Sequence, residues 1–261
     1  MTSSLAFGPI RRTALALALA VLAAAPAAAQ NAGCILDNCA DRRPVQPSRQ
    51  APPQPSDRGY DSYRPRPRGA SQPGDFDFYV FSLSWSAGFC ETGGADKNPQ
   101  QCSGGQHLGF VVHGLWPQYE RGFPQDCGGG RMPSRIALDQ ANGLFPDIGL
   151  ARYEWRKHGT CSGKSPGDYF ADVRAARAAV AVPQQFANAA GDQTMAPIDI
   201  LRAFEAANPR LRPGMSAVGC RQGVLQEVRF CMTRDLRDFR PCPEVAQQTC
   251  RTRQITVPAP L

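Results

Sequence analysis

Tyr153-Glu154-Trp155-Arg156-Lys157-His158-Gly159-Thr160-Cys161 is the stretch around which the chain is organised. It reads as a short helix carrying chemistry. Residues four apart on a helix share a face, so Glu154 and His158 lie one above the other, with Tyr153 and Lys157 stacked beside them. Trp155 points elsewhere, and Gly159 stands where a left-handed cap is wanted. A carboxylate, an ammonium and an imidazole on one wall have acid–base capacity. An amphipathic helix with one charged face shows the same pattern, so the segment needs a partner before it means catalysis.

The partner lies upstream. Leu108-Gly109-Phe110-Val111-Val112 reads as a buried strand that delivers His113 at its end, where Gly114 and Pro117 turn the chain. Before it, Phe76 to Trp85 is aromatic and β-branched, hence a strand, followed by a loop bounded by Cys90 and Cys102. Ser134 to Asn142 looks helical and stops at Gly143. Ser165-Pro166-Gly167-Asp168 is a helix start, with Ser165 as cap, Pro166 at the first helical position and Asp168 at the third. A further helix is expected over Ile198 to Ala206, and Val224 to Cys231 has the clearest strand alternation. These elements give an α+β fold, a mostly antiparallel central sheet flanked by helices, in a single disulfide-stapled catalytic domain over residues 75–251.

The flanks differ in kind. Arg11-Arg12, an alanine and leucine run and Ala27-Ala28-Ala29 form a secretory signal peptide over residues 1–29. No later stretch approaches the roughly 20 apolar residues of a membrane span. Residues 30–74 contain Cys34 and Cys39 and then a proline- and arginine-rich linker. With seven arginines against three aspartates between Asp41 and Pro73 and almost no aliphatic side chains, it builds no core. Residues 252–261 are expected as a flexible tail. Ten cysteines in an exported chain imply disulfides. Metal ligation is disfavoured, because no Cys-x-x-Cys occurs and His107, His113 and His158 lack ligand spacing. A net charge of +7 suits a polyanionic partner.

Phe110-Val111-Val112-His113-Gly114-Leu115-Trp116-Pro117, taken with Lys157-His158-Gly159-Thr160-Cys161, resembles the two active-site segments of the ribonuclease T2 family of secreted endoribonucleases. Phe78 to Trp85 with Cys90, Leu144 to Asp147, Val224 to Cys231 and Cys242-Pro243 extend the similarity over about Asp75 to Cys250. The resemblance implies disulfides Cys127–Cys161, Cys90–Cys102, and a nested pair, Cys220–Cys250 around Cys231–Cys242. Cys34–Cys39 is then left by subtraction. The signal peptide and the cysteine content imply export to the periplasm or the extracellular space, and nothing requires more than a monomer.

Cleaving RNA through its own 2′-hydroxyl needs a base, an acid and positive charge at phosphorus. His158 is assigned as general base and His113 as general acid, with the reverse left open by sequence. Lys157 would stabilise the non-bridging oxygens, and Glu154 would orient His158 or hydrogen-bond the phosphate in its protonated form. Trp116 and Tyr153 are the substrate-binding candidates. Trp116 either packs as core or stacks on a base or ribose. Tyr153 stands where the family has a phosphate-binding histidine and brings no positive charge. Ser84 falls where some relatives place a base-reading glutamine, so broad base specificity is expected. The chemistry calls for no metal or cofactor. Its substrate is single-stranded RNA; DNA lacks the nucleophile and is not cleaved. The alternative reading is a catalytically weakened, secreted RNA- or polyanion-binding module, and a metal-dependent hydrolase is a distant third.

Overall fold

The structure is a computed structural model that describes residues 71–103, 108–124, 126–128 and 131–261. The expected signal peptide, the Cys34–Cys39 pair, the linker up to residue 70 and His107 lie outside the described residues. In chain order the elements are β1 (Phe78–Trp85), α1 (Ser86–Phe89), α2 (Pro99–Cys102), β2 (Phe110–Gln118), α3 (Arg135–Asp139), α4 (Ile148–Lys157) and α5 (Pro166–Ala179). There follow α6 (Gln184–Ala187), β3 (Gln193–Met195), α7 (Pro197–Ala207), β4 (Ser216–Arg221), β5 (Val224–Met232), α8 (Pro243–Ala246) and β6 (Ile255–Val257). No helix among the described residues is long and apolar enough to cross a membrane.

All eight residues of β1 are buried, because it runs antiparallel between β2 and β5 and is covered on both faces. Strand alternation sends Tyr79, Phe81, Leu83 and Trp85 into the main core, where Trp155 of α4, Tyr169 and Phe170 of α5, and Ile200 and Phe204 of α7 meet them. Phe78 and Val80 go to the opposite face and pack with Ala217, Cys231 and Val245. That second face is where the sheet presents polar side chains.

β2 corrects the expectation that a strand ends at His113. It continues through Gly114, Leu115, Trp116 and Pro117, all paired with β1. Proline is admitted because β2 is an edge strand. Ser82 pairs with Gly114 but Leu83 pairs with Val112, so His113 is the extra residue of a β-bulge. The bulge lets Val112 and Leu115, three apart, both point into the core, and it re-aims His113.

Helix α4 begins upstream of the expected segment, where Asp147 Oδ1 accepts the Leu150 N–H at 3.0 Å. It ends at Lys157, with His158 as cap and Gly159 opening a 3₁₀ turn to Ser162. The left-handed residue is Gly163 (φ 72°), not Gly159. Gly159 is required for space instead, since a Cβ there would lie 3.1 Å from the Tyr169 ring and closer still to Trp155. α3 is shorter than the expected Ser134–Asn142 helix, with Ser134 capping the Ala137 N–H and Gly143 turning the chain at φ 73°. α5 starts with Ser165 Oγ accepting the Asp168 N–H at 3.2 Å and Pro166 in the first position.

Four disulfides are present among the described residues: Cys90–Cys102, Cys127–Cys161, Cys220–Cys250 and Cys231–Cys242. Cys127–Cys161 ties the loop after β2 to the 3₁₀ turn that follows α4, and the Asp126 N–H donates to the Lys157 carbonyl at 2.8 Å beside it.

Residues 252–261, expected as a flexible tail, instead contribute a strand to the sheet, Ile255–Val257. β6 pairs antiparallel with β3 and meets β5 in parallel at Val224 opposite Thr256. Ile255 and Val257 are buried, and the Trp85 indole donates to the Pro258 carbonyl at 3.0 Å. Ile255→Ala is therefore expected to destabilise the oxidised protein by about 2–4 kcal/mol in urea unfolding. A flexible tail would give no change.

Candidate active site

The second face of the sheet gathers polar groups from three strands. His113, re-aimed by the bulge, places Nδ1 3.0 Å from Glu227 Oε2 on β5. The Ser82 hydroxyl donates to the same oxygen at 2.8 Å. Arg229, two residues along β5 and hence on the same face, binds the other carboxylate oxygen through Nε at 2.8 Å and Nη2 at 2.5 Å.

Helix α4 supplies the other wall. The Trp116 indole N–H donates to Glu154 Oε2 at 2.7 Å, and Glu154 Oε1 lies 3.9 Å from His113 Nε2. Trp116 stands between the two histidines, its ring centroid 5.0 Å from that of His113 and 5.5 Å from that of His158. The Arg229 guanidinium lies 5.4 Å from the same indole. Trp116 is half-buried and packs against the cluster around Phe78 and Val80. Lys157 donates to the Tyr153 hydroxyl at 3.1 Å, so the expected stacking of these two is present. The expected orientation of His158 by Glu154 is not. The Glu154 carboxylate turns to Trp116 and His113, and His158 Nδ1 is buried with no hydrogen-bond partner among the described residues.

Burial sets the charges. For His113, burial favours the neutral ring, but the Glu227 hydrogen bond and charge, helped by Glu154, outweigh it and raise the pKa. For His158, burial and then the Lys157 and His113 charges all act in one direction, and its pKa drops to about 3. Burial pushes Glu154 up to about 7 against the opposing pull of His113 and the Trp116 hydrogen bond. Glu227 is equally buried, yet Arg229, His113 and Ser82 overcome that penalty and hold it well below the usual carboxylate range. Two carboxylates and two imidazoles are therefore split into unlike pairs by their surroundings. Among the described residues, no group of three or more His, Cys, Asp or Glu side chains is arranged to hold a metal ion.

The model of the Ribonuclease T2 family matches residues 76–242, which include every strand and helix named in this site. The chain belongs to the ribonuclease T2 family. This T2 ribonuclease is 34% identical over 177 residues to a ribonuclease of Aeromonas hydrophila, covering 67% of this chain and 80% of that one. It is 26% identical over 198 residues to ribonuclease DdI of Dictyostelium discoideum, covering 69% and 84%. An RNase-related protein from Calystegia sepium shares the fold with a TM-score of 0.55, at 19% identity, over 70% of this chain and 97% of that one. A variant of RNase MC1 in complex with 5′-UMP superposes with a TM-score of 0.51, at 23% identity, over 64% and 93%. The protein is an endoribonuclease.

Glu227 and Arg229 are the site residues of this T2 ribonuclease that sequence reasoning missed. Their signal was two opposite charges spaced i, i+2 inside a strand, which must share a face. Gly114 carries a second lesson. A Cβ at that position would sit on top of both Glu154 Oε2 and Trp116 Nε1, so the glycine admits the bond between them. Gly114→Ala is expected to keep the fold and lower kcat at least about 10-fold by parting Trp116 from Glu154, a rise on the order of 1.4 kcal/mol in the barrier. Unchanged kcat in a folded variant would show that the bond does not matter to catalysis.

Proposed function

We propose that this T2 ribonuclease cleaves single-stranded RNA by transesterification, with His158 as general base and His113 as general acid. The observation that carries the assignment is the opposite bias of the two imidazoles on either side of Trp116. His158 is driven neutral, which leaves it an open acceptor nitrogen across the mildly acidic range, while Glu227 raises the pKa of His113 and favours its protonated form. His158 takes the 2′-hydroxyl proton, the 2′-oxygen attacks phosphorus, the bond to the 5′-oxygen breaks and His113 Nε2 protonates that oxygen. The product is a 2′,3′-cyclic phosphate. Water opens it later with the histidine roles exchanged.

Lys157 supplies fixed positive charge for the non-bridging oxygens. Glu154, with its pKa near 7, is protonated in mildly acidic solution and then has a hydrogen to give a phosphate oxygen while still accepting from Trp116. Every proton needed for the first step is available without a metal ion. Ser84 is buried with its hydroxyl turned to the Gln226 carbonyl at 3.5 Å, which supports broad base specificity at that subsite. The need for a 2′-oxygen as nucleophile excludes DNA as a substrate, and in-line attack favours flexible single strands. The disulfides, with the leader-like N-terminal sequence, support export to the periplasm or beyond.

The pH dependence follows with a definite sign. Activity needs His158 neutral, so kcat/KM falls as pH drops through about 3. It needs Glu154 protonated, so kcat/KM falls again as pH rises through about 7, while His113, raised by Glu227, must also keep its proton. Initial rates on an oligoribonucleotide across this range should trace a broad, acid-shifted bell. An acidic limb at the ordinary imidazole value of about 6.5 would contradict the assignment of His158. Tyr153→His, which adds a titrating cation beside Lys157, is expected to lower KM several-fold at acidic pH and not at neutral pH. An unchanged KM would remove Tyr153 from phosphate binding.

A further inference from the structure

Neither active-site segment contains Glu227, yet the geometry around it is that of a built support. Each of its oxygens is engaged, Oε2 by His113 Nδ1 and the Ser82 hydroxyl, Oε1 by the Arg229 guanidinium. The residue facing it from β4 is Gly219, where a Cβ would come within 2.8 Å of Glu227 Cγ. The sheet thus reserves space for this carboxylate. Arg229 is held in turn by Gln248 Oε1 at 2.7 Å. With Nδ1 turned to Glu227, the His113 nitrogen that faces α4 and the reacting region is Nε2, 3.9 Å from Glu154.

We propose that Glu227 is a positioning residue for His113, accepting the Nδ1 proton and so fixing Nε2 as the nitrogen that delivers a proton to the leaving oxygen. Arg229 and Ser82 hold the carboxylate in place for that task. A carboxylate on the far nitrogen of a catalytic imidazole fixes its tautomer and orientation and stabilises its protonated form. The inference rests on the reading of His113 as general acid. The charged and titratable groups facing His113 are Glu227 and Arg229 from β5 and Glu154 and His158 from α4. Removing the Glu227 charge leaves Arg229 unbalanced, and both changes lower the proton affinity of His113.

The test compares Glu227→Gln with the native protein on two substrates. One is a dinucleoside monophosphate, whose 5′-oxygen must be protonated to leave. The other is uridine 3′-(4-nitrophenyl phosphate), whose leaving group departs without a proton. The expected result is a kcat lower by about 10- to 100-fold on the dinucleotide, with KM within about twofold. The alkaline limb of the kcat profile moves to lower pH by about one unit, and the loss on the nitrophenyl ester shrinks to about threefold or less. Native kcat and an unmoved alkaline limb in the folded variant would overturn the proposal.

If Glu227→Gln fails to fold, ¹⁵N NMR of His113 in the native protein decides. A neutral ring carrying its hydrogen on Nδ1 is expected, and one carrying it on Nε2 overturns the proposal. His113→Ala separates the two layers of the argument. Equal losses on both substrates would refute His113 as acid, while the tautomer and the pH limb still report whether Glu227 positions it.

Discussion

The hydrogen bond from the Trp116 indole to the Glu154 carboxylate joins a sheet edge to a helix, and the site depends on it. Each partner belongs to a different segment of the chain, and neither segment holds a complete set of catalytic groups. The bond is made inside the protein, where an unmatched indole N–H and an unmatched carboxylate would each be costly. It fixes how far α4 stands from β2. Gly114 leaves room for it, the His113 bulge sets the parity that brings Trp116 to that face, and Cys127–Cys161 anchors the end of α4.

The charge pattern of the site follows from burial and from what surrounds each carboxylate and imidazole. Glu154 has few cationic neighbours and is buried, so its proton is retained to near neutrality. Glu227, at similar burial, is surrounded by Arg229, His113 and Ser82 and stays ionised. The carboxylate that keeps its charge serves His113, whereas His158 sits beside Lys157 with no carboxylate partner among the described residues. On the proposed mechanism, one fold thereby presents an acid and a base from two identical side chains, by placing opposite charges around them.

Local signals carried well from sequence to structure. Ser165 with Pro166 and Asp168 stated a helix start in three residues, and the aromatic and β-branched run to Trp85 stated a strand. What failed were local readings of backbone and side chains whose outcome was decided by neighbours distant in the chain. Gly114 and Pro117 look like a turn, but an edge position tolerates the proline and a bulge accommodates the extra residue, so the strand runs on. Gly159 looks like a left-handed cap, but its role is to make room for Trp155 and Tyr169, the latter on another helix. Ile255-Thr256-Val257 is too short to announce itself as a strand without β3 and β5 beside it. Glu227 is a charge in a strand until the pairing of β1 with both β2 and β5 brings it to His113.

The measurement that tests the central claim most directly is identification of the ends produced when fully oxidised protein acts on single-stranded RNA in EDTA, with His158→Ala alongside. The account predicts 2′,3′-cyclic phosphate ends from the native protein at mildly acidic pH, and their disappearance in the folded variant. RNA that stays intact, or cleavage that survives the loss of His158, would contradict it.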